Sequence, residues 1–580
     1  GLQVGPDGGL DAGRDVTATG SDVFVTPGAS DSIDLQPGMT VVQKVTAGNE
    51  LLLISRVQAP GTADIVIGGE AQAGGNISVD AADTTTLFSD VFAGGNVDLL
   101  DPVILSGDST ITGINVTVQG TLNDDGDSMT ASNLVVNATG TTQFNGAVGD
   151  VSPIDSLTTD AAGTTSLNGS ISVVGDVTLN DAVILISDST ITATNVIFGS
   201  TLDDDGNALT GSDLVVNADG VTQFLDEIGG INPLGSLVTD APGTTEFSST
   251  VNVTTGSIDF NDPVQLTEDI QINAAAGGSV SFASTIDSEA GENNNIVISG
   301  GAISFDGDIG AGTSGDQTIG SLTVTTATSI RFGTTGPGNI NTVRTDGPID
   351  LGSLSVVTTN ITFDSPGLSI ETTGDDIRIN GPVILAAAET ALSTGSSSTG
   401  DILFTNNSPV DGFTGEVNSL TLTAGLGTVR FNEDIGRNRL IGTLDVSRAD
   451  GGVTFGEADS AMPDGTGPVD QINAFGGINV GSANSISGGI VLDPSGATLM
   501  VVSSGGDIRF NGDVDIRATE VAIDSGAAAG GDVVFENGLT PQGSEVTDLT
   551  LTTGGGDVLV RGDLGTAANR FDDVLVTLAD

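Results

Sequence analysis

Residues 101–112 read DPVILSGDSTIT, and residues 181–192 read DAVILISDSTIT. The correspondence extends outward from there. LNDDGD opens at Leu122 and LDDDGN at Leu202. SNLVVNATGTTQFNGAVG opens at Ser132 and SDLVVNADGVTQFLDEIG at Ser212. LTTDAAGTT opens at Leu157 and LVTDAPGTT at Leu237. Every pair has the same offset, that from Asp101 to Asp181, and the register reaches back to ISVDAADTT at Ile77. Self-similarity at a fixed period marks a repeat architecture.

A shorter beat lies inside the long one. Small apolar strands end at Phe144, Phe224, Phe305, Phe431 and Phe510, and most lead into turns such as FNGAVG, FDGDIG and FNEDIG. A second strand follows each at a similar interval, ending at Leu167, Phe247, Phe332, Phe455 and Phe535. The strands are short, and alternation puts one face inward and one outward. Gly-Gly, Asn-Gly and Asp-Gly pairs punctuate them. A meander of hairpins would not demand Phe at a fixed phase. Stacked parallel coils do, because equivalent positions lie about 4.8 Å apart and form ladders. The pattern predicts an all-β fold, a parallel β-helix (β-solenoid) with coils of about 20–27 residues. A lone coil cannot hold itself together. Each buried apolar side chain contributes about 1.5–3 kcal/mol, while ordering costs about 1.5 kcal/mol per residue.

Composition agrees. The chain has 580 residues with 85 Gly, no Cys, His, Trp or Tyr, and 20 Phe as its only aromatics. Without Cys, stability must come from repetitive packing. There are 76 acidic and 14 basic residues, a formal charge of -62, and no Lys or Arg between Arg56 and Arg331. Nucleic acid and anionic membranes are poor partners for such a chain, and a saline or calcium-containing medium suits it. Apolar runs such as Leu51 to Ile54 are too short to span a bilayer.

Three regions are expected: residues 1–75 as an irregular lead-in or cap coils, 76–250 as the two long repeats, and 251–580 as diverged coils. The last carry Gly/Ser-rich loops such as GSSSTG after Thr394 and AMPDGTGP after Ser460. The chain begins without Met, and the reading is of a mature or trimmed segment. FDDVLVTLAD at its end resembles PIDSLTTD before Ala161, which predicts a stop in mid-coil.

The turn beginning F-x-G-x-[VI]-G, followed by a Leu-Gly-Ser-Leu strand and an Ile-x-Phe strand, stands at Phe224–Phe247 and Phe305–Phe332 in this form or a close variant. It resembles the repeats of filamentous-haemagglutinin-like and autotransporter-associated secreted bacterial proteins. The resemblance covers most of residues 76–580. It implies a right-handed parallel β-helix, export, and roles in adhesion, matrix or surface architecture. It carries no active site.

Carboxylates are the abundant reactive groups. Asp124, Asp125 and Asp127 in one turn, and Asp203, Asp204 and Asp205 in its repeat, are the candidate calcium ligands. Ca²⁺ takes about six to eight oxygens, which Asp-rich turns can supply. The competing reading is a solvated Asp-Gly turn. The turns share one phase of the repeat, so the sharper reading is a cation shared between coils. Arg331, Arg378, Arg430 and Arg509 each sit beside a β-branched residue and before Phe or Ile. Alternation turns them outward. They either pair internally, with neighbours such as Asp376 and Asp507, or dock the acidic face of another subunit.

Glycoside hydrolysis uses paired carboxylates, but sugar-cleaving β-helices also draw on basic and aromatic residues that are scarce here. Without His there is no ordinary base near neutral pH. The expectation is a non-enzymatic extracellular protein at the cell surface, a segment of a bacterial fibre, sheath or surface layer. Its expected partners are further copies of itself and other surface or matrix components. The alternatives are an adhesin stalk whose binding tip lies outside this chain and a carbohydrate-active β-helix enzyme.

Overall fold

The computed structural model describes residues 50–54 and 65–578, apart from 82, 128–130, 208–210, 255, 276, 313–316, 334–339, 353–359, 457–469, 495–497, 527–529 and 543–546. Before these it describes the strands Leu2–Gln3, Val16–Ala18, Val23–Val25 and Lys44–Ala47. Most of the expected lead-in and the AMPDGTGP loop lie outside the described residues. Among the described residues every regular element is a strand, and every strand pairing is parallel. No helix is long and apolar enough to cross a membrane. The fold is a parallel β-solenoid. The chain divides into two compact units, Gly1–Val264 with Asn273–Ala275, and Gln265–Ile272 with Ala276–Asp580.

In the first unit three parallel sheets wrap each coil. Val97–Leu99, Val116–Val118, Thr141–Phe144, Thr164–Leu167, Ala182–Leu185 and Leu202–Asp204 follow one another in the first sheet. Ser109–Gly113, Asn133–Ala138, Ser156–Thr159, Asp176–Leu179, Asn195–Phe198, Val221–Phe224 and Thr244–Phe247 run in the second. Val103–Leu105 and Leu122–Asp124 belong to the third, which continues through single bridges at Val148 to Ile171–Ser172, then to Ser189–Ala193 and Leu214–Ala218.

These positions correct one expectation. Equivalent residues of the two long repeats do not lie over one another. Thr141–Phe144 is in the first sheet and Val221–Phe224 in the second. Leu122–Asp124 is in the third and Leu202–Asp204 in the first. From Val97 to Val177 the chain makes eleven sheet-to-sheet passes, one short of four full turns. Each long repeat therefore starts one sheet further round.

The shorter beat is the true coil. Phe224 pairs in register with Phe247, and their rings stack 5.1 Å apart. In the second unit Phe305 pairs with Phe332, Phe431 with Phe455 and Phe510 with Phe535, with centroids 5.1, 5.5 and 5.3 Å apart. Coil length varies more than expected. A short coil brings Ala182 onto Thr164, and a coil about twice as long brings Ile490 onto Val453. Inward positions are Leu, Ile, Val and Phe buried to the limit, and outward positions are mainly Thr, Ser, Asn, Asp and Arg.

Candidate functional site: glycine elbows and carboxylate clamps

The F-x-x-x-[VI]-G stretch folds as an elbow. Its glycines Gly149, Gly229, Gly310 and Gly436, and Gly565 in a related turn, all adopt left-handed backbone, with φ of 72°, 65°, 62°, 67° and 73°. Glycine reaches this region without the clash a Cβ would cause. The N–H groups of the first four donate to the carbonyls of Leu122, Leu202, Ile286 and Val410 in the coil before. The space on the other side is closed as well. A Cβ would lie 2.0 Å from Ser172 O, 2.3 Å from Asn252 O, 2.1 Å from Arg344 O and 2.0 Å from Asn473 O.

A side-chain oxygen from the preceding coil holds the loop beyond each of these four elbows. Asn123 Oδ1 accepts from the N–H groups of Val151 and Ser152 at 3.0 and 3.1 Å. Asp203 Oδ1 accepts from Ile231 and Asn232 at 2.8 and 3.2 Å. Asp287 does the same for Gly312, and Asp411 for Asn438 and Arg439. Asn and Asp serve alike at this position, so the task needs an acceptor and not a charge. The tips of the first two loops are Val151 and Ile231, 82% and 81% exposed.

Among the remaining candidate calcium ligands, Asp124, Asp125, Asp204 and Asp205 close their own turns. Asp124 accepts from the N–H groups of Ser132 at 2.9 Å and Gly126 at 3.1 Å. Asp204 accepts from Ser212 and Gly206, both at 2.8 Å. Asp125 accepts from the N–H of Asp127 at 2.9 Å, and Asp205 from that of Asn207 at 2.8 Å. These are Asx-type turns, in which the carboxylate replaces a backbone acceptor. The two turns lie on different sheets, so a cation shared between them has no geometric basis here. Among the described residues, the three acidic groups whose oxygens all lie within 4.8 Å of one another are Asp548, Asp572 and Asp573, all exposed.

The four candidate arginines point outward, as alternation requires, and each meets a neighbour in the same unit. Arg331 pairs with Asp364 and donates from Nε to Gly333 O. Arg378 reaches Asp350 at 2.8 Å and Asp376 at 3.8 Å. Arg430 donates to Asn432 Oδ1 at 2.7 Å. Arg509 meets Glu536 at 2.7 Å, and Arg561 shares that carboxylate at 3.3 Å. Asp507, the partner expected from sequence, instead accepts the N–H of Asp532 at 3.0 Å. Asp532 in turn accepts that of Asp557 at 2.8 Å.

That ladder shows where much of the acidity goes. Asp108 accepts from Asn133 N–H, Asp188 from Asp213, Asp376 from Asp401 and Asp401 from Thr428. In each case a carboxylate at a corner caps an amide of the next coil. The bonds from the backbone and side chain of Asn133 hold the Asp108 carboxyl below the usual range. Sequence reasoning missed these clamps. Their signal was an Asp after a Gly or Ser at the mouth of a strand, as in GDI, GDV and SDS.

Glu433 is an acidic group outside this ladder. Burial, with Asp434 and Asp470 adding to it against Arg437, pushes the half-buried Glu433 up to about 7. Asp434 beside it is buried, pairs with Arg437 at 2.7 Å and accepts the N–H groups of Asp470 and Gln471. Its oxygens are thus committed to holding the chain. No protein-family model, curated protein or solved structure matches the chain.

Proposed function

We propose that the chain is a non-enzymatic extracellular structural protein, a β-solenoid segment of a bacterial surface fibre, sheath or surface layer that associates with further copies of itself. One observation carries this reading: polar side chains are spent on joining coil to coil. Corner aspartates cap amides, arginines pair across neighbouring strands, and the elbow loops are held from the coil before. Such an arrangement extends along one direction by repetition.

Negative-stain microscopy of purified native material tests the proposal. Regular fibres or lattices support it. Isolated single-copy rods would favour a stalk that displays another domain, and release of reducing sugar from acidic polysaccharides would favour an enzyme.

A further inference from the structure

Two corners of the first unit enclose a carboxylate almost completely. Asp181 and Asp262 are each 2% exposed. Asp181 Oδ1 accepts from the hydroxyls of Thr159 and Thr165 at 2.8 Å each, and Thr165 lies 3.0 Å from Oδ2. Asp262 repeats the arrangement with Thr239 at 2.7 Å and Thr245 at 3.0 and 2.8 Å. All four threonines are fully buried. They flank the turns AAG at 161–163 and APG at 241–243, so a carboxylate from one coil plugs the corner of the coil before it.

Among the described residues, no positive group offsets these charges. The charged neighbour of Asp181 is Asp160, and that of Asp262 is Asp240, so both neighbours repel. The sequence has no Lys or Arg between Arg56 and Arg331. Burial is the largest influence on each carboxyl and raises it above the usual aspartate range, against the opposing pull of the threonine hydroxyls. An isolated buried anion is costly and tends to neutralise. The geometry suits the neutral acid. With a proton on Oδ2, Asp181 donates to Thr165 Oγ1 while Thr159 still donates to Oδ1.

We propose that Asp181 and Asp262 are proton-binding plugs that tighten the coil stack of the first unit as the surroundings become acidic. A carboxyl held above its ordinary value of 3.8 favours the folded state most fully below that value. The contribution is lost as pH rises through its folded value. The fold therefore gains from acid at these corners, opposite to a protein held by ionised, paired carboxylates.

The test is thermal unfolding of the full chain between about pH 8 and pH 4, for wild type and for the Asp181→Asn, Asp262→Asn double variant. Asparagine stands in for the neutral acid. The exposed Asp219→Asn variant controls for general charge repulsion. Wild-type Tm should climb as pH falls, and the double variant should climb less by a few degrees. At the alkaline end it should melt no lower than wild type. A double variant that runs parallel to wild type at lower Tm overturns the proposal, as does equal flattening by Asp219→Asn. Should the variant fail to fold, infrared spectra of wild type labelled with ¹³C-aspartate decide the matter. A protonated carboxyl band must persist above the pH at which exposed aspartates lose theirs, and its absence refutes the plugs.

Discussion

The ring of Phe224 lies on that of Phe247 with centroids 5.1 Å apart and planes 8° from parallel. Phe198 stacks beneath Phe224 at 5.0 Å, so Phe224 is held on both sides. Phe224→Ala should cost about 3–5 kcal/mol through lost burial and a cavity. Coils meet only their neighbours, so the damage should stay local. Hydrogen exchange should lose protection at Val221–Phe224 and the strands paired with it, while distant coils keep theirs.

Gly229 combines two constraints, a left-handed backbone and the carbonyl of Asn252 in the way of a Cβ. Gly367 has a similar φ of 74° with nothing within 4 Å. Gly229→Ala should therefore destabilise more than Gly367→Ala. The difference in denaturation midpoint isolates the carbonyl collision from the strain that both share.

Asp203 and Asn123 perform one task at equivalent positions. Asp203→Asn should change the melting temperature little, while Asp203→Ala should cost about 1–3 kcal/mol by leaving amides without their acceptor. If the Asp-rich turns bound calcium, Asp203→Asn would weaken a calcium-induced rise in Tm. The clamping role predicts that a calcium titration shifts wild type and variant equally.

Glu433 gives a pH dependence near neutrality. Its carboxyl is pushed from 4.5 up to about 7, so its contribution to stability is present in acid and lost as pH rises through about 7. Glu433→Gln should flatten the Tm profile between about pH 4.5 and pH 7, the interval between its ordinary and folded values. An unchanged slope would show that this carboxyl ionises in the ordinary range.

Arg378 is 38% exposed in its pair with Asp350, so Arg378→Ala should cost less than about 1 kcal/mol in urea unfolding. Because these arginines already have partners within the chain, the variant should also leave assembly intact at high salt.

Much of this fold can be read directly from the sequence. Alternation and the Phe beat predict parallel coils, and Phe224 does lie one coil from Phe247. The long repeat misleads because the stretch from Asp101 to Asp181 does not close on whole turns. Counting passes requires seeing that the isolated bridges of Val148 and Ile154 carry the third sheet between Leu122 and residues 171–173, and single bridged residues leave no alternating pattern. The acidic residues were legible as turns and not as clamps. A carboxylate that caps an amide of the next coil, as Asp507 caps Asp532, has a partner a whole coil away that no local motif marks. The arginine pairs were half visible. Asp376 is near Arg378 in sequence, while Asp350 reaches it only through the strand register.

Electron microscopy of native material, imaged to the spacing of the strands, tests the central claim most directly. Long fibres or sheets with a layer spacing of about 4.8 Å along the axis, built from copies of this chain, are the predicted result. Compact, unassembled particles at native concentration and salt would contradict it.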